Sequence, residues 1–490
     1  MAKRTAVIDI GSNSARMIVL ERTSRFGFYL INETKSRVRI SEGAYENGGN
    51  LQPHAIERAL SALREFLAIA KSYKVRKILC VATSAVRDAP NKHLFLRRVR
   101  KELGLYIKVI DGDTEALLGG IAAANLLPVE NGITVDIGGG STELARIENK
   151  RVVETLSLDL GTVRLKELFS DRDADIKSAI AYIRKELDKL PAHFRCDTVI
   201  GIGGTIRALS KAIMQRIDYP LDKLHGFSYD VAKQKKFIDK IITAPVTKLK
   251  KYSIKKERYD VIKEGCLIFR EILERLDAQA VITSGAGVRE GVFLRDLLRN
   301  QNYRFPANFN PSVRSLLDRF CIDEKGMRCN YRIASRLYDA LHHLFDPEQK
   351  LRREFLYAAK LLNIGTKIEL YEHHKHSSYI ILNDLDYGLT HSQIVTIATL
   401  VRFHKKKLPN GSVTKPLEAL LPKSEALDWL SFLLALAEAL NKDRSCPRFE
   451  VTYKEKLLHI TSNTPLYLAR EEIKNLQKPA PFAIVIATPQ

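Results

Sequence analysis

The chain has little sulfur and almost no tryptophan: 6 cysteines, 4 methionines and a single Trp in 490 residues. Its cysteines (Cys80, Cys196, Cys266, Cys321, Cys329 and Cys446) are scattered, with no C-x-x-C pair among them. That spacing argues against a disulfide framework or a zinc site and predicts reduced, structural thiols. No apolar run approaches the ~18–20 residues that cross a bilayer. The N-terminus, MAKRTAVIDIG, enters a strand without the apolar core of a signal peptide. A cytoplasmic protein with no membrane contact is therefore expected. Low-complexity tracts are missing as well, and so are helix-turn-helix, zinc-finger and RNP patterns, which argues against nucleic acid as a specific partner.

What the chain has in excess is positive charge, 79 Lys and Arg against 57 Asp and Glu, a net +22. The surplus is clustered at Lys35–Arg39, Arg97–Lys101, Lys248–Arg258 and Arg402–Lys407. Such a field draws in polyanions in a salt-dependent way, unless these residues only decorate solvated faces. At this length two to four domains are expected.

The first 300 residues alternate strands with helices and then repeat. ITVDIGGGST (133–142) restates the strand-to-loop pattern of AVIDIGSNS (6–14), displaced by 127 positions. Two such α/β units normally face each other across a cleft, with the ligand at the strand ends. Pro53 opens an amphipathic helix to about Tyr73, and KILCVATSAVR (77–87) reads as a strand entering a loop. After FPANFNPS (305–312), which reads as a linker, the pattern turns helical over 314–320, 330–344, 348–371, 391–405 and 415–441. A terminal hairpin is predicted within 451–463.

The stretch Asp136-Ile-Gly-Gly-Gly-Ser-Thr-Glu143 carries the most chemistry. Gly138, Gly139 and Gly140 follow an apolar strand, so backbone N–H groups can converge on an anion, with Ser141 adding a hydroxyl. Asp136 and Glu143 offer hard oxygen ligands for Mg²⁺ beside a phosphate. Asp9, Gly11, Ser12 and Asn13 form the same device in the first unit. Gly203, Gly204 and Thr205 again join a strand to a helix and suit a further phosphate. Arg87 ends a buried strand, where a guanidinium can hold phosphate oxygens. Glu115 opens a helix and is either a dipole-favoured first-turn acid or a base.

Taken in order, D-I-G-S-N, A-T-S-A-V-R, G-x-x-E-A, D-I-G-G-G-S-T-E, G-I-G-G-T, L-H-G and S-G-x-G-V-R-E-G make residues 5–300 resemble the exopolyphosphatase/guanosine pentaphosphate phosphohydrolase family of the actin–sugar kinase–Hsp70 superfamily. The resemblance implies an α/β fold with two duplicated actin-like (ribonuclease H-like) domains around a cleft, plus a C-terminal all-helical HD-like domain. The corresponding boundaries are 1–125, 126–304 and 305–445, with a small α/β cap over 446–490. It also implies a Mg²⁺-dependent hydrolase of polyphosphate or guanosine pentaphosphate in which Glu115 is the catalytic base. Asp9, Asp136 and Glu143 would then serve the metal. Gly11, Ser12, Asn13, Arg87, Gly138, Gly139, Gly140, Ser141, Gly203, Gly204 and Thr205 would hold phosphate. An ATPase or phosphotransferase, or a non-catalytic sensor, is the alternative. In the helical part, Leu362-Asn363 stands where an HD site needs His-Asp. The histidines His342, His343, His373, His374, His376, His391 and His404 are accordingly expected to be structural or to grip polyanion. The same domain offers a natural surface for a homodimer.

Overall fold

The computed structural model describes residues 3–44, 47–172, 175–405, 407–409 and 411–487. Lys406 of the last basic cluster, the first two residues and the last three of the expected cap lie outside them. The chain divides into two compact units, Met1–Phe309 and Asn310–Gln490.

The first unit contains two sheets of one topology. Strands β1 (Lys3–Ile10), β2 (Ala15–Arg22), β3 (Phe28–Ser36), β4 (Lys77–Ala82) and β5 (Lys108–Val109) lie in the order β3-β2-β1-β4-β5. Strands β6 (Gly132–Ile137), β7 (Thr142–Glu148), β8 (Arg151–Leu158), β9 (Thr198–Ile202), β10 (Ser228–Asp230) and β11 (Ala280–Thr283) lie in the order β10-β11-β9-β6-β7-β8. Taken from β8, the second sheet repeats the first and adds β10 antiparallel at its edge. In each sheet an antiparallel three-stranded meander leads into parallel strands through helical crossovers. The central strand β1 can be a continuous apolar run because both its faces are covered, with Ala6, Val7, Ile8 and Ile10 fully buried. The edge strand β3 instead alternates between half-buried and exposed positions. This is the duplicated α/β architecture that the repeat predicts.

The helix Pro53–Ser72 has Pro at its first position and buries Ile56, Leu60, Leu63 and Phe66 along one stripe. TSAVR is not all loop: Ser84–Arg87 forms a single helical turn after β4. The helix Gly112–Leu126 starts on Asp111, whose carboxylate accepts from the Thr114 N–H at 2.7 Å. Its small residues allow close packing. A Cβ on Gly120 would strike Val152, and one on Gly291 of the helix Val288–Leu297 would enter the Leu118 carbonyl. FPANFNPS is no free linker, for Phe305 and Phe309 pack edge-on against Phe26 at 6.3 and 5.7 Å.

The second unit is helical, but two expectations need correction. The predicted helix 348–371 is broken: Arg352–Leu361 is followed by a 3-10 turn, Ile364–Lys367, and a separate helix, His373–Asp384. Gly365 lets the backbones meet there, since its Cβ would overlap the His373 carbonyl and the Ser377 N–H. The cap is not separate either. Strands β12 (Phe449–Lys454), β13 (Leu457–Ser462) and β14 (Ala483–Ala487) form a sheet whose Leu458 and Ile460 join the helical core, and Phe482 stacks on Trp429 at 5.4 Å. The hairpin within 451–463 is present as β12–β13.

The expectation of six reduced thiols also fails. Cys329 and Cys446 form a disulfide across 117 residues, while Cys80, Cys196, Cys266 and Cys321 are free. The pairing depends on the loop after the helix Ser424–Leu440 returning to the helix Glu324–Leu341, a tertiary contact that no local spacing signals.

Candidate functional site

The two glycine loops are the same turn. The Gly11 N–H donates to the Ser14 carbonyl at 3.2 Å, and the Gly138 N–H donates to the Ser141 carbonyl at 2.9 Å, again 127 positions apart. Both loops line one cavity of about 180 Å³ in the first unit. Its walls include Asp9, Gly11, Ser12, Asn13, Glu115, Asp136, Gly138, Gly139, Ser141, Gly203, Gly204 and Thr205. Twelve of the fifteen residues singled out from sequence are thereby brought together.

The other three stand behind the wall. Gly140 faces away, its carbonyl accepting from Arg164 Nε at 2.9 Å. Glu143 is buried, 3% exposed, and accepts a hydrogen bond from Ser157 Oγ at 3.1 Å. Arg87 lies in the neighbouring depression and reaches the cavity through Glu115, at 3.4 Å from its carboxylate, while also pairing with Asp88 at 3.1 Å. It is placed to orient Glu115.

The phosphate loop is held from outside by a segment that sequence reasoning misses. Thr162 N–H donates to Gly138 O at 3.0 Å and Val163 N–H to Gly139 O at 2.9 Å. Gly161 makes this possible, since any Cβ there would overlap the Gly139 and Gly140 backbone. Gly203 is required in the same sense: its φ is +85° and a Cβ would land on Asp136 Oδ1. From Gly203 the helix Gly203–Arg216 points its free N–H groups into the cavity, where they favour an anion.

Five cations surround the loops: Arg16, Lys35, Arg207, Arg258 and Arg289. Lys35 and Arg258 come from two of the basic clusters, so part of the charge surplus has a definite address. Arg16 and Arg207 escape sequence reasoning. The signal for Arg16 lies in the repeat, because Asp9 pairs across strands with Arg16 just as Asp136 pairs with Glu143. Burial, with Arg16, Arg258 and Arg37 nearby, pushes the Lys35 ammonium down to about 8, which marks a cationic surface short of anions. Arg289 donates to Glu33 at 2.7 Å.

The carboxylates are perturbed in the opposite sense. Burial, opposed by Arg289 and reinforced by Asp136, raises Asp9 to about 6. Burial raises Glu143 to about 7, and Asp136 is raised by burial as well. Glu115 is lifted well above the ordinary range by burial and then by Glu143, Asp9 and Asp136, with Arg87 pulling the other way. Asp9 Oδ1 is buried without a hydrogen-bond partner. Crowded acids of this kind suit a hard divalent cation, which would lower all four together. Among the described residues no three of these acids bring their oxygens within 4.8 Å of one another.

A cleft between duplicated halves, lined by five cations as well as by buried carboxylates, suits a phosphate-processing enzyme. Comparison with known proteins makes that class specific. Residues 18–300 match the model of the Ppx/GppA phosphatase family, and residues 310–475 match that family's domain III. The chain belongs to the Ppx/GppA phosphatase family and is a phosphoanhydride hydrolase. The guanosine-5'-triphosphate,3'-diphosphate pyrophosphatase of Pseudoalteromonas translucida is 27% identical over 476 residues, spanning 93% of this chain and 91% of that one. A crystal structure of the Aquifex aeolicus family member is 30% identical, with a TM-score of 0.53, over 61% of this chain and 99% of that one. An exopolyphosphatase from Cytophaga hutchinsonii shares the fold at 24% identity and a TM-score of 0.55, over 60% and 98%. Domain III crosses into the terminal sheet, in keeping with the shared core found there. Among the described residues no helix is long and apolar enough to cross a membrane.

Proposed function

We propose that this chain removes the terminal phosphate of guanosine 5'-triphosphate 3'-diphosphate and of inorganic polyphosphate by direct attack of water, with Mg²⁺ as cofactor. The observation that carries the reading is the placement of Glu115. It sits at the cavity wall, bears a carboxyl raised well above the ordinary range, and is tied to Arg87 at 3.4 Å. A carboxylate of raised pKa is a stronger base than a solvated one, and Arg87 keeps enough of it ionised to accept a proton from water at Oε2. The N–H groups of both glycine loops, with Ser12, Asn13 and Ser141, would hold the oxygens of the transferring phosphoryl group. Arg16, Lys35, Arg207, Arg258 and Arg289 would hold the phosphates behind it. Asp9, Asp136 and Glu143 would hold Mg²⁺, which supplies neutralisation of the phosphoryl oxygens.

The pentaphosphate substrate is favoured by the name of the Pseudoalteromonas relative, which matches over nearly the whole chain. Polyphosphate presents the same triphosphate end to the same cations. Phosphate release is measured on both compounds and on ATP, with and without Mg²⁺, for the wild type and Glu115→Gln. The expected result is Mg²⁺-dependent release from the first two without any acceptor. Loss of the positioned base lowers turnover by about 10²–10⁴-fold, while polyanion binding is retained. Near-wild-type turnover by Glu115→Gln would remove the base assignment, and activity on ATP alone would favour an ATPase.

A further inference from the structure

The second unit contains a cluster for which the cleft chemistry has no use. His373 opens the helix His373–Asp384, His404 follows the helix His391–Arg402, and Glu438 lies in the last turn of Ser424–Leu440. Among the described residues these three form the one group of His, Cys, Asp or Glu whose ligand atoms all lie within 4.8 Å of one another. They line a cavity of about 410 Å³. His404 is fully buried and His373 is 6% exposed.

The hydrogen bonds fix which nitrogens are free. His373 Nδ1 lies 2.6 Å from the Leu370 carbonyl, and His404 Nδ1 bonds the Val401 carbonyl. A carbonyl can only accept, so on both rings the proton sits at Nδ1 and a bare Nε2 is left. Neither Nε2 has a hydrogen-bond donor. The His404 Nε2 nevertheless lies 3.4 Å from Glu438 Oε2, two acceptors facing each other. Lys405 donates to the same Oε2 at 3.3 Å but leaves both ring nitrogens unmatched. Asn363 Oδ1, in the same cavity, is buried without a partner too. Unpaired buried acceptors are costly, and an arrangement of several around one point calls for a cation.

We propose that His373 Nε2, His404 Nε2 and the Glu438 carboxylate bind a divalent transition-metal ion of the zinc type. Two imidazoles with one carboxylate suit such ions better than Mg²⁺. Donation of Nδ1–H to a backbone carbonyl is the supporting arrangement that orients metal-ligating imidazoles. Ligands ~2.1 Å from zinc lie about 3.4 Å apart, so the set need close only by about an ångström. Three protein ligands leave a coordination position open, and the cavity beside it is lined by Lys360 together with the ion pairs Lys442–Glu472 at 3.0 Å and Arg444–Asp323 at 3.6 Å. Sequence alone points to a structural or polyanion-gripping role for these histidines, because Asn363 stands where an HD pair needs Asp. The fold supplies a carboxylate from another helix instead.

Zn²⁺ binding is measured on the full chain after chelation and gel filtration, by metal analysis and by titration. Co²⁺ absorbance serves as the readout of nitrogen coordination. Glu143→Gln is included to remove metal held in the phosphate cleft. One equivalent of Zn²⁺ is expected in Glu143→Gln, and at least that in the wild type. Loss of outer-shell support weakens metal sites about 10–100-fold, and loss of a ligand in His404→Gln or Glu438→Gln is expected to exceed that. If His404→Gln does not fold, Glu438→Gln at its partly exposed position decides the matter. Undiminished affinity in Glu438→Gln, or no Zn²⁺ beyond what Glu143→Gln abolishes, overturns the proposal.

Discussion

The cleft carboxylates make the substrate-free enzyme less stable as pH rises, and Glu143→Gln removes one of them together with its push on Glu115. Glu143 is buried, and burial holds its carboxyl at about 7 where 4.5 is ordinary. Below pH 4.5 the group is protonated in the folded and unfolded chain alike, so it contributes no pH-dependent term. Between 4.5 and 7 the folded state holds a proton that the unfolded state has released, and unfolding becomes steadily easier. Above pH 7 the full difference is expressed, about 3 kcal/mol at ~1.4 kcal/mol per pH unit. Gln has the same shape, keeps an acceptor for Ser157 Oγ at 3.1 Å in the parent, and carries no charge. In chelator, Glu143→Gln should therefore match the wild type near pH 4 and exceed it at about pH 8. At about 2–4 °C per kcal/mol the gain in Tm is about 6–12 °C. The variant should be nearly inactive, a trade of function for stability. Thermal unfolding from about pH 4 to about pH 8.5 gives the answer. A Tm difference that does not grow with pH, or that favours the wild type on the alkaline side, refutes the electrostatic account of the cleft.

Gly203→Ala combines a positive φ with a Cβ placed on Asp136 Oδ1, so it should displace that carboxylate and abolish Mg²⁺-dependent turnover. Gly104→Ala is the control: φ is +64° but nothing lies within 4 Å, and only the backbone penalty of about 1 kcal/mol should appear, with activity intact. Equal activity losses in the two variants would show that the Asp136 contact is unimportant. Reduction of the Cys329–Cys446 bridge opens a link across 117 residues. The loop-entropy relation gives about 4–5 kcal/mol for such a loop. The unfolding transition of the second unit should fall while that of the first stays put, and thiol titration of the denatured, unreduced chain should count four free cysteines. Six would refute the bridge.

What can be read from sequence is whatever is written locally. A buried strand followed by glycines is a local statement, and so the loops at Gly11 and Gly138 and their 127-residue displacement are legible in the chain itself. So is the helix from Pro53, whose start signal and apolar stripe agree. What is lost depends on distant partners. Gly161 reads as an ordinary turn glycine until the Gly139 carbonyl is seen against it. Gly365 breaks a promising helical stretch only because the His373 backbone needs its space. Cys446 has no nearby cysteine to suggest a bond to Cys329. His373 and His404 look like a metal site without an acid, because Glu438 is supplied by a helix that shares no sequence pattern with them.

The duplication also explains how a symmetric scaffold can act on one end of a phosphate chain. Asp9 and Asp136 occupy equivalent strand positions, and both face the same cavity. Their cross-strand partners differ: Arg16 in the first half, Glu143 in the second. A guanidinium on one side binds phosphate oxygen directly and repels a metal ion. A carboxylate on the other draws the metal and repels an unneutralised phosphate. On the proposed function, the second loop would draw the metal more strongly and the first the bare phosphate, so the two halves would not be equivalent. Glu115 lies on the helix packed against the second half, and Glu143 acts on it more strongly than any other charged neighbour. Exchanging Arg16 for an acid would restore the symmetry of the repeat, and under the proposed function it should weaken phosphate binding while leaving the acids of the second loop in place.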